Sequence, residues 1–171
     1  MHLRQPAVAG RFYTDVPADL RAEVESFLKQ GAALPASALA AGDAAHLAGL
    51  MLPHAGHVYS GRVIGATLAH VRLPRTVFLL CPNHTGLGTP LSVWPAGAWQ
   101  TPLGPVPVDG EMARLLCEAD EDFSADVMGH VREHSIEVLL PFLQVCAGDA
   151  PLHVVPVCVG TGQAPVLRTG G

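Results

Sequence analysis

Positive charge is scarce in this sequence and is nowhere concentrated. Lysine occurs once, at Lys29, and the 10 lysine and arginine residues are outnumbered by 15 aspartate and glutamate residues. Because nucleic acids and anionic membrane surfaces are bound by clusters of basic side chains, neither is expected as a partner. The sequence also lacks a run of about 18 uncharged apolar residues and the apolar core of a signal peptide, so we expect a cytoplasmic protein.

Motifs for several common kinds of site are missing as well. The four cysteines lie far apart, at Cys81, Cys117, Cys146 and Cys158. Without a CxxC pair, neither a zinc ribbon nor a thioredoxin-like site is indicated, and buried free thiols are expected. Serine hydrolysis is disfavoured because no GxSxG elbow surrounds the available serines, Ser60 and Ser135.

The apolar content is sufficient for a compact core. Apolar residues make up 49% of the 171 residues and charged residues only 15%. This balance is typical of a globular protein, and the length predicts a single domain spanning residues 1–171. A first helix is predicted after Asp15 as its cap, with Pro17 in the first turn and with Leu20 and Val24 on an apolar face.

Two histidines follow two short apolar runs, and a helix is predicted between them. His54 lies at the end of LAGLMLPHAG and His84 at the end of TVFLLCPNHTG, and both runs are typical of buried strands. Residues 59–71 between them have a helical pattern. A right-handed strand–helix–strand crossover brings both strand ends to one edge of a sheet, so the two imidazoles are expected to be neighbours. Since neutral imidazole is a common metal ligand, the pair predicts a metal site.

Further elements are predicted downstream. LSVWP and LHVVPVCVG are strand candidates, and the proline-rich AWQTPLGPVPVD favours an edge strand or an extended arm. Asp109 is predicted to cap a second helix. A third helix is predicted over residues 131–140, and Pro141 is expected to end or kink it. The Ala-rich stretch 31–46 indicates a connection, and the final TGQAPVLRTGG is a poor helix former.

The third predicted helix has a polar face. His130, Glu133, His134 and Glu137 are spaced i, i+3, i+4 and i+7, which places them on one side. Such a face is often only a solvated surface. Two histidines one turn apart beside two carboxylates are also suited to binding a metal ion, orienting its ligands or moving protons.

Six segments of the chain occur in an order that resembles the Memo family, known in prokaryotes as AmmeMemoRadiSam system protein B. The segments are PAVAGRFY, LPHAG followed by YSG, VFLLCPNHTG, WQTPLGPVPVD, EHSIEVLLPFL and VVPVCVG. Together they extend from Arg4 to about Gly160. Each segment is a weak signal alone, but six in the same order form a specific signature.

The resemblance implies an α/β fold with a central mostly parallel or mixed sheet flanked by helices, as in the catalytic subunits of class III extradiol ring-cleaving dioxygenases. It also implies that the histidines of PHAG and PNHTG, His54 and His84, bind a metal ion, iron(II) or copper. Glu133 and His134 of the EHS segment are placed near the metal cleft, where we expect them to be catalytic and to move protons. His57 stands where the family often has tyrosine, so a further imidazole is expected to line the cleft.

The resemblance further implies that the chain is a single, C-terminally truncated Memo-like domain. In the family, a carboxyl-terminal portion carries a Ser-Asp-Phe-x-His stretch and a Cys-Gly motif whose cysteine is the third metal ligand. Two imidazoles alone are expected to bind metal weakly, because such sites normally have three protein ligands. Cys158, Glu133 and His134 are the available substitutes, although Cys158 lies in an apolar strand and is expected in the core. An uncovered sheet face or unpaired edge is expected to favour association.

Two functions from different classes are compatible with these features. The first is a metal-dependent redox enzyme of the dioxygenase type that acts on an unknown small molecule, and it predicts bound metal that is lost when both histidines are replaced. The second is a non-catalytic module that captures a peptide or a partner enzyme in the same cleft, and it predicts binding that survives a chelator. Since prokaryotic members are often encoded beside a radical-SAM protein and an AMMECR1-like protein, the resemblance implies these two as partners.

Overall fold

A computed structural model describes residues 3–34 and 48–160. The strands in this part are β1 Leu3–Arg4, β2 Thr76–Pro82, β3 Leu91–Val93, β4 Ala98–Thr101, β5 Gly104–Pro107, β6 Phe123–Ala125 and β7 His153–Val159. The helices are α1 Pro17–Ala32, α2 His57–Leu68, α3 Gly110–Ala119, the 3-10 segment Glu137–Leu139 and α4 Leu140–Ala147. Most of the predicted Ala-rich connection and the final TGQAPVLRTGG lie outside the described residues. None of the described helices has the length and apolar character needed to cross a membrane.

Two mixed sheets organise the fold. In the larger sheet, of order β2-β7-β3-β6, β2 runs parallel to β7 from Thr76 opposite His153 to Pro82 opposite Val159. β3 is antiparallel to β7 and parallel to β6. The smaller sheet has the order β1-β4-β5, with β4 parallel to β1 and antiparallel to β5. The predicted α/β class with a mixed sheet and flanking helices is confirmed.

Alternate residues of β7 face two different layers of the core. Val154 and Cys158 join the main apolar cluster, which includes side chains of α1, α2 and α4. Val155 and Val157 point to the opposite face, where Ala113 of α3 covers them. This alternation is what a strand buried on both faces requires, and it explains why β7 is apolar from Val154 to Val159.

Most of the predicted elements are confirmed. The helix predicted over residues 59–71 corresponds to α2, and the proline-rich segment forms the hairpin of β4 and the edge strand β5. Asp109 caps α3, because its side chain accepts a hydrogen bond of 3.1 Å from the amide of Met112. Asp15 does not cap α1 as predicted. Val16 occupies the cap position without a side-chain bond, and Pro17 begins the helix.

The strand predicted before His54 is not formed. Residues 49–53 have no strand partner among the described residues, and Met51 is 94% exposed. A short apolar run predicts burial but does not identify the neighbour that a strand needs. The prediction of a strand–helix–strand unit is therefore wrong. The rings of His54 and His84 are nevertheless neighbours, as predicted, with their centroids 5.3 Å apart.

The helix predicted over residues 131–140 is replaced by turns, the 3-10 segment and the start of α4. Arg4 explains the difference, because its guanidinium donates to the carbonyl oxygens of His130, at 2.9 Å, and Glu133. In an α helix these oxygens would accept from amides four residues later. The amide of His134 instead donates to the Glu133 carboxylate at 2.8 Å.

The polar stripe expected on that helix is consequently divided. His130 is buried with its Nε2 3.0 Å from the Ser92 carbonyl oxygen, and Glu137 is buried in an ion pair with Arg4. Pro141 lies in the first turn of α4 rather than at a helix end, since its missing N–H is not needed there. Only Glu133 and His134 of the stripe remain near the predicted cleft.

We expect the buried His130 to make the stability of the fold sensitive to acid. Nε2–H donates to Ser92, and Nδ1 is buried without a partner among the described residues. Burial lowers the pKa of His130 to about 4, whereas an unfolded histidine titrates near 6.5. Because the folded pKa is the lower one, the neutral imidazole stabilises the fold fully above about pH 6.5. This contribution, at most about 3 kcal/mol, is lost as the pH falls toward 4.

Urea unfolding at neutral pH and near pH 4.5 measures this effect. We expect the His130→Gln variant, whose amide can still donate to Ser92, to lose less stability between the two pH values than the wild type. Equal losses in both proteins would assign the acid sensitivity to other groups.

Candidate metal centre

Three histidine rings meet beyond the end of β2. One ring nitrogen from each of His54, His84 and His134 lies within 4.8 Å of the other two. The ring centroids are 5.3 Å apart for His54 and His84, 4.8 Å for His84 and His134, and 5.9 Å for His54 and His134. Because an imidazole nitrogen lies about 2 Å from a bound metal ion, only small ring movements are needed for all three to share one ion.

The loop after β2 presents His84. The Asn83 side-chain oxygen accepts hydrogen bonds of 2.9 Å from the amides of Thr85 and Gly86. This turn, in which an asparagine side chain replaces a backbone acceptor, holds the chain as it leaves the sheet. The ring of His84 is therefore presented from a defined loop, with its side chain 45% exposed.

Two further loops present the other rings. His54 precedes α2, and the Ser60 hydroxyl in the first turn of that helix donates to the Ala55 carbonyl oxygen at 2.7 Å. His134 lies in the turns before the 3-10 segment, and the ring of Phe12 packs edge-on against it with centroids 4.9 Å apart. The cluster thus joins three segments that are distant in the sequence.

Glu133 lies behind the rings and is only 1% exposed. Its Oε1 lies 3.0 Å from Nδ1 of His84 and 3.3 Å from Nδ1 of His134, and it also accepts from the Ser135 hydroxyl at 2.8 Å. Its Oε2 accepts from the backbone amide of His84 at 2.7 Å. Because Nδ1 of His84 donates to the carboxylate, Nε2 of that ring carries the lone pair that can bind a metal ion.

The protonation states of Glu133 and His134 suit metal binding. Burial alone would raise the pKa of Glu133, but the hydrogen bonds from His84 and Ser135 outweigh it and lower that pKa to about 2. Burial lowers the pKa of His134. The nearby imidazoles of His84 and His54 lower this pKa further, and the carboxylate of Glu133 offsets part of the shift by raising it. A carboxylate and neutral imidazoles are the forms that a metal centre requires.

Two other sequence candidates lie outside the cluster. Cys158 is fully buried in β7 with its Sγ 3.9 Å from the Pro82 carbonyl oxygen, which places it in the core as expected. The expectation that His57 lines the cleft is wrong. Its ring is 1% exposed and lies between Glu23, 3.1 Å from Nδ1, and the Val138 carbonyl oxygen, 2.8 Å from Nε2. Of the three proposed substitutes for a third ligand, only His134 joins the two predicted histidines.

Sequence reasoning missed Arg4 and Phe12 as contributors to the site. Arg4 binds carbonyl oxygens 126 and 129 residues away, so no local spacing connects it to the cluster. Phe12 lies in PAVAGRFY, one of the segments that carried the family resemblance, and this was the only available signal for its position. Both residues act on the cluster through packing and hydrogen bonding rather than by offering a ligand atom.

A mixed-sheet α/β domain with three imidazoles beyond a strand end, backed by a buried carboxylate, defines a candidate metal-binding protein. The sequence matches the Memo-like protein family over residues 4–171. The chain belongs to this family.

Individual relatives agree with this assignment. The chain is similar to MEMO1 family proteins of Desulfurococcus amylolyticus, 40% identical over 173 residues, and Thermotoga neapolitana, 40% identical over 172 residues. A MEMO1 family protein of Methanopyrus kandleri is 40% identical over 178 residues. The matches cover 96–98% of this chain and 60% of each relative, so the chain spans about 60% of the length of these relatives.

Proposed function

We propose that His54, His84 and His134 together bind one redox-active transition-metal ion, iron(II) or copper, in a dioxygenase-like protein that acts on a small molecule. The observation that carries the proposal is the approach of three imidazole nitrogens within 4.8 Å of one another. Imidazole is a suitable ligand for both metals. When bound, the ion supplies Lewis-acid and redox chemistry to a molecule that enters the open side of the cluster.

The residues of the chain have separate tasks in this proposal. His54 and His84 are the two ligands implied by the family resemblance, and His134 takes the third position. Glu133 orients His84 through Nδ1 and supplies the negative charge that the three neutral rings lack. Proton transfer by His134 and Glu133 stays a prediction and is an alternative to the ligand role of His134, because an imidazole that binds a metal ion through one nitrogen and donates to Glu133 through the other has no lone pair left to accept a proton.

Metal retention tests the proposal. After loading with iron(II) under nitrogen, or with copper, and then desalting, we expect the wild type to retain about one ion per chain. The His54→Ala/His84→Ala double variant is expected to retain almost none. His70→Ala is the matched control, because His70 bonds the Gly31 carbonyl oxygen away from the cluster and its replacement should leave the metal content unchanged. Equal retention by the wild type and the double variant would refute the site.

The proposed partners rest on the resemblance alone. A radical-SAM protein and an AMMECR1-like protein are proposed to bind this chain because of their association with prokaryotic family members. Co-purification of each candidate with the tagged wild-type chain, compared with an unrelated tagged protein, tests this part separately from metal retention.

A further inference from the structure

His57 connects the segments that carry two of the three histidines of the cluster. It is the first residue of α2 and follows His54 by three positions. Its backbone amide donates to the carbonyl oxygen of Phe12 at 2.8 Å, and its Nε2 lies 2.8 Å from the carbonyl oxygen of Val138. Because the ring is only 1% exposed, its neighbours in the described fold already enclose it.

Both residues that His57 binds in this way lie next to His134. The amide of Val138 donates to the carbonyl oxygen of His134 at 3.1 Å, and the ring of Phe12 packs edge-on against the His134 ring. His57 is therefore one contact away from His134 by two separate routes. The short turn from His54 to the start of α2 ties it to His54 as well.

His54 needs such a connection because Glu133 does not hold it. Oε1 of Glu133 lies 3.0 Å from Nδ1 of His84 and 3.3 Å from Nδ1 of His134, so one carboxylate orients these two rings together. Within residues 3–34 and 48–160, the His54 side chain has ring contacts with His84 and His134 but no hydrogen bond. The placement of the His54 ring therefore depends on the backbone that leads into α2.

The His57 ring is suited to bridging two segments rather than to binding a metal ion. Its Nε2 faces the carbonyl oxygen of Val138 and its Nδ1 lies 3.1 Å from a carboxylate oxygen of Glu23, and both of these groups accept hydrogen bonds. The ring satisfies both partners when each nitrogen carries a hydrogen, and it then has no lone pair for a metal ion. An amide oxygen in place of Glu23 would accept the same bond. Tyr13 stacks against the ring and Phe142 packs edge-on, with centroids 5.3 and 5.0 Å away, so the ring plane is fixed.

We propose that His57 is a positioning residue of the metal centre, and that its bond to Val138 sets the separation of the His54 and His134 rings. The bond holds the start of α2, and with it the turn that carries His54, against the 3-10 segment that follows His134. Without it, the two segments lose this hydrogen bond and the two rings are free to separate. The ring separation is a property of the metal-free protein, whereas the effect on metal affinity rests on the proposed function.

Nuclear Overhauser effects between the ring protons of His54 and His134 test the proposal in metal-free protein. We expect these ring contacts in the wild type and their loss in His57→Phe, which keeps an aromatic ring but cannot donate a hydrogen bond. His57→Gln is the conservative variant, because its amide can still donate to the same carbonyl oxygen and should retain the contacts. His70→Phe is the matched control, since it makes the same change in a histidine that bonds the Gly31 carbonyl oxygen away from the cluster.

A double-mutant cycle on copper(II) affinity tests the consequence for the metal centre. Competition with a metal indicator is expected to show a roughly 10-fold loss of affinity for His57→Phe. His57→Gln and His70→Phe should bind copper(II) as the wild type does. In a chain that already carries His54→Ala, the His57→Phe change should cause no further loss, because the ring that it displaces is absent.

The two readouts separate this inference from the proposed function. A wild type that binds no copper(II) refutes the metal centre, and the ring contacts then still decide the role of His57. Contacts between the His54 and His134 rings that persist in folded His57→Phe, or that are absent from the wild type, would overturn the inference. So would equal losses of affinity with and without His54→Ala. Circular dichroism shows whether each variant is folded, and His57→Met replaces His57→Phe if the latter does not fold.

Discussion

Replacement of Glu133 by glutamine is expected to weaken metal binding by the histidine cluster by about 10- to 100-fold. The carboxylate accepts from Nδ1 of His84, and the same oxygen accepts from the Ser135 hydroxyl. A glutamine has one acceptor oxygen instead of two, and its NH₂ group would face donors that now point at the carboxylate. His84 would lose both its fixed orientation and the nearby negative charge that favours a bound cation.

The Glu23→Gln variant is the matched control for this prediction. Glu23 also lies beside an imidazole, 3.1 Å from Nδ1 of His57, but outside the cluster. Competition between each variant and a metal indicator gives the affinities, and urea unfolding shows whether stability has changed. We expect a loss of affinity for Glu133→Gln only. Unchanged affinity in that variant, or an equal loss in Glu23→Gln, would remove Glu133 from its proposed role.

Elements that depend on local sequence could be predicted for this protein. β2 and β7 are continuous apolar runs, and the cap at Asp109 depends on an amide three residues away. Each of these signals is contained within about ten residues, so it needs no knowledge of the rest of the fold. The helix predicted over residues 131–140 is not formed, because the carbonyl groups of Glu133 and of His130 just before the segment bind Arg4, more than 120 residues away. No sequence pattern within that segment indicates that its carbonyl groups bind a residue as distant as Arg4.

The candidate site shows the same division. His54 and His84 could be predicted because each follows an apolar run, although the strand assumed before His54 is not formed. The direction of His57 could not be predicted, since it depends on where α2 begins. The helix starts at His57 itself, two residues before the predicted start, and its first turn directs that ring toward Glu23 and Val138. Three-dimensional packing thus selects which imidazoles reach the cluster.

Replacement of Glu137 by glutamine is expected to destabilise the fold by about 3–5 kcal/mol, because it leaves a buried cation without its counter-charge. Glu137 is fully buried and pairs with Arg4 at 2.7 Å. Its oxygens also accept from the amides of Ala7 and Val8, at 2.8 and 2.9 Å, and from the Tyr13 hydroxyl at 2.7 Å. Burial and the neighbouring Glu137 raise the pKa of Tyr13, so its hydroxyl remains a donor. Four donors therefore converge on a carboxylate that an amide cannot replace.

Glu118→Gln provides the comparison, because Glu118 pairs with Arg114 on α3 while both side chains are more than half exposed. Exposed pairs of this kind contribute little, so its unfolding free energy should match that of the wild type. Urea unfolding of the three proteins at neutral pH measures the difference. A loss below about 1 kcal/mol for Glu137→Gln would mean that Arg4 finds other partners or water. Glu137→Gln and Glu118→Gln make the same chemical change, one in a buried ion pair and the other in an exposed one. A large loss of unfolding free energy in Glu137→Gln alone would therefore show that the Arg4–Glu137 pair is necessary because it is buried.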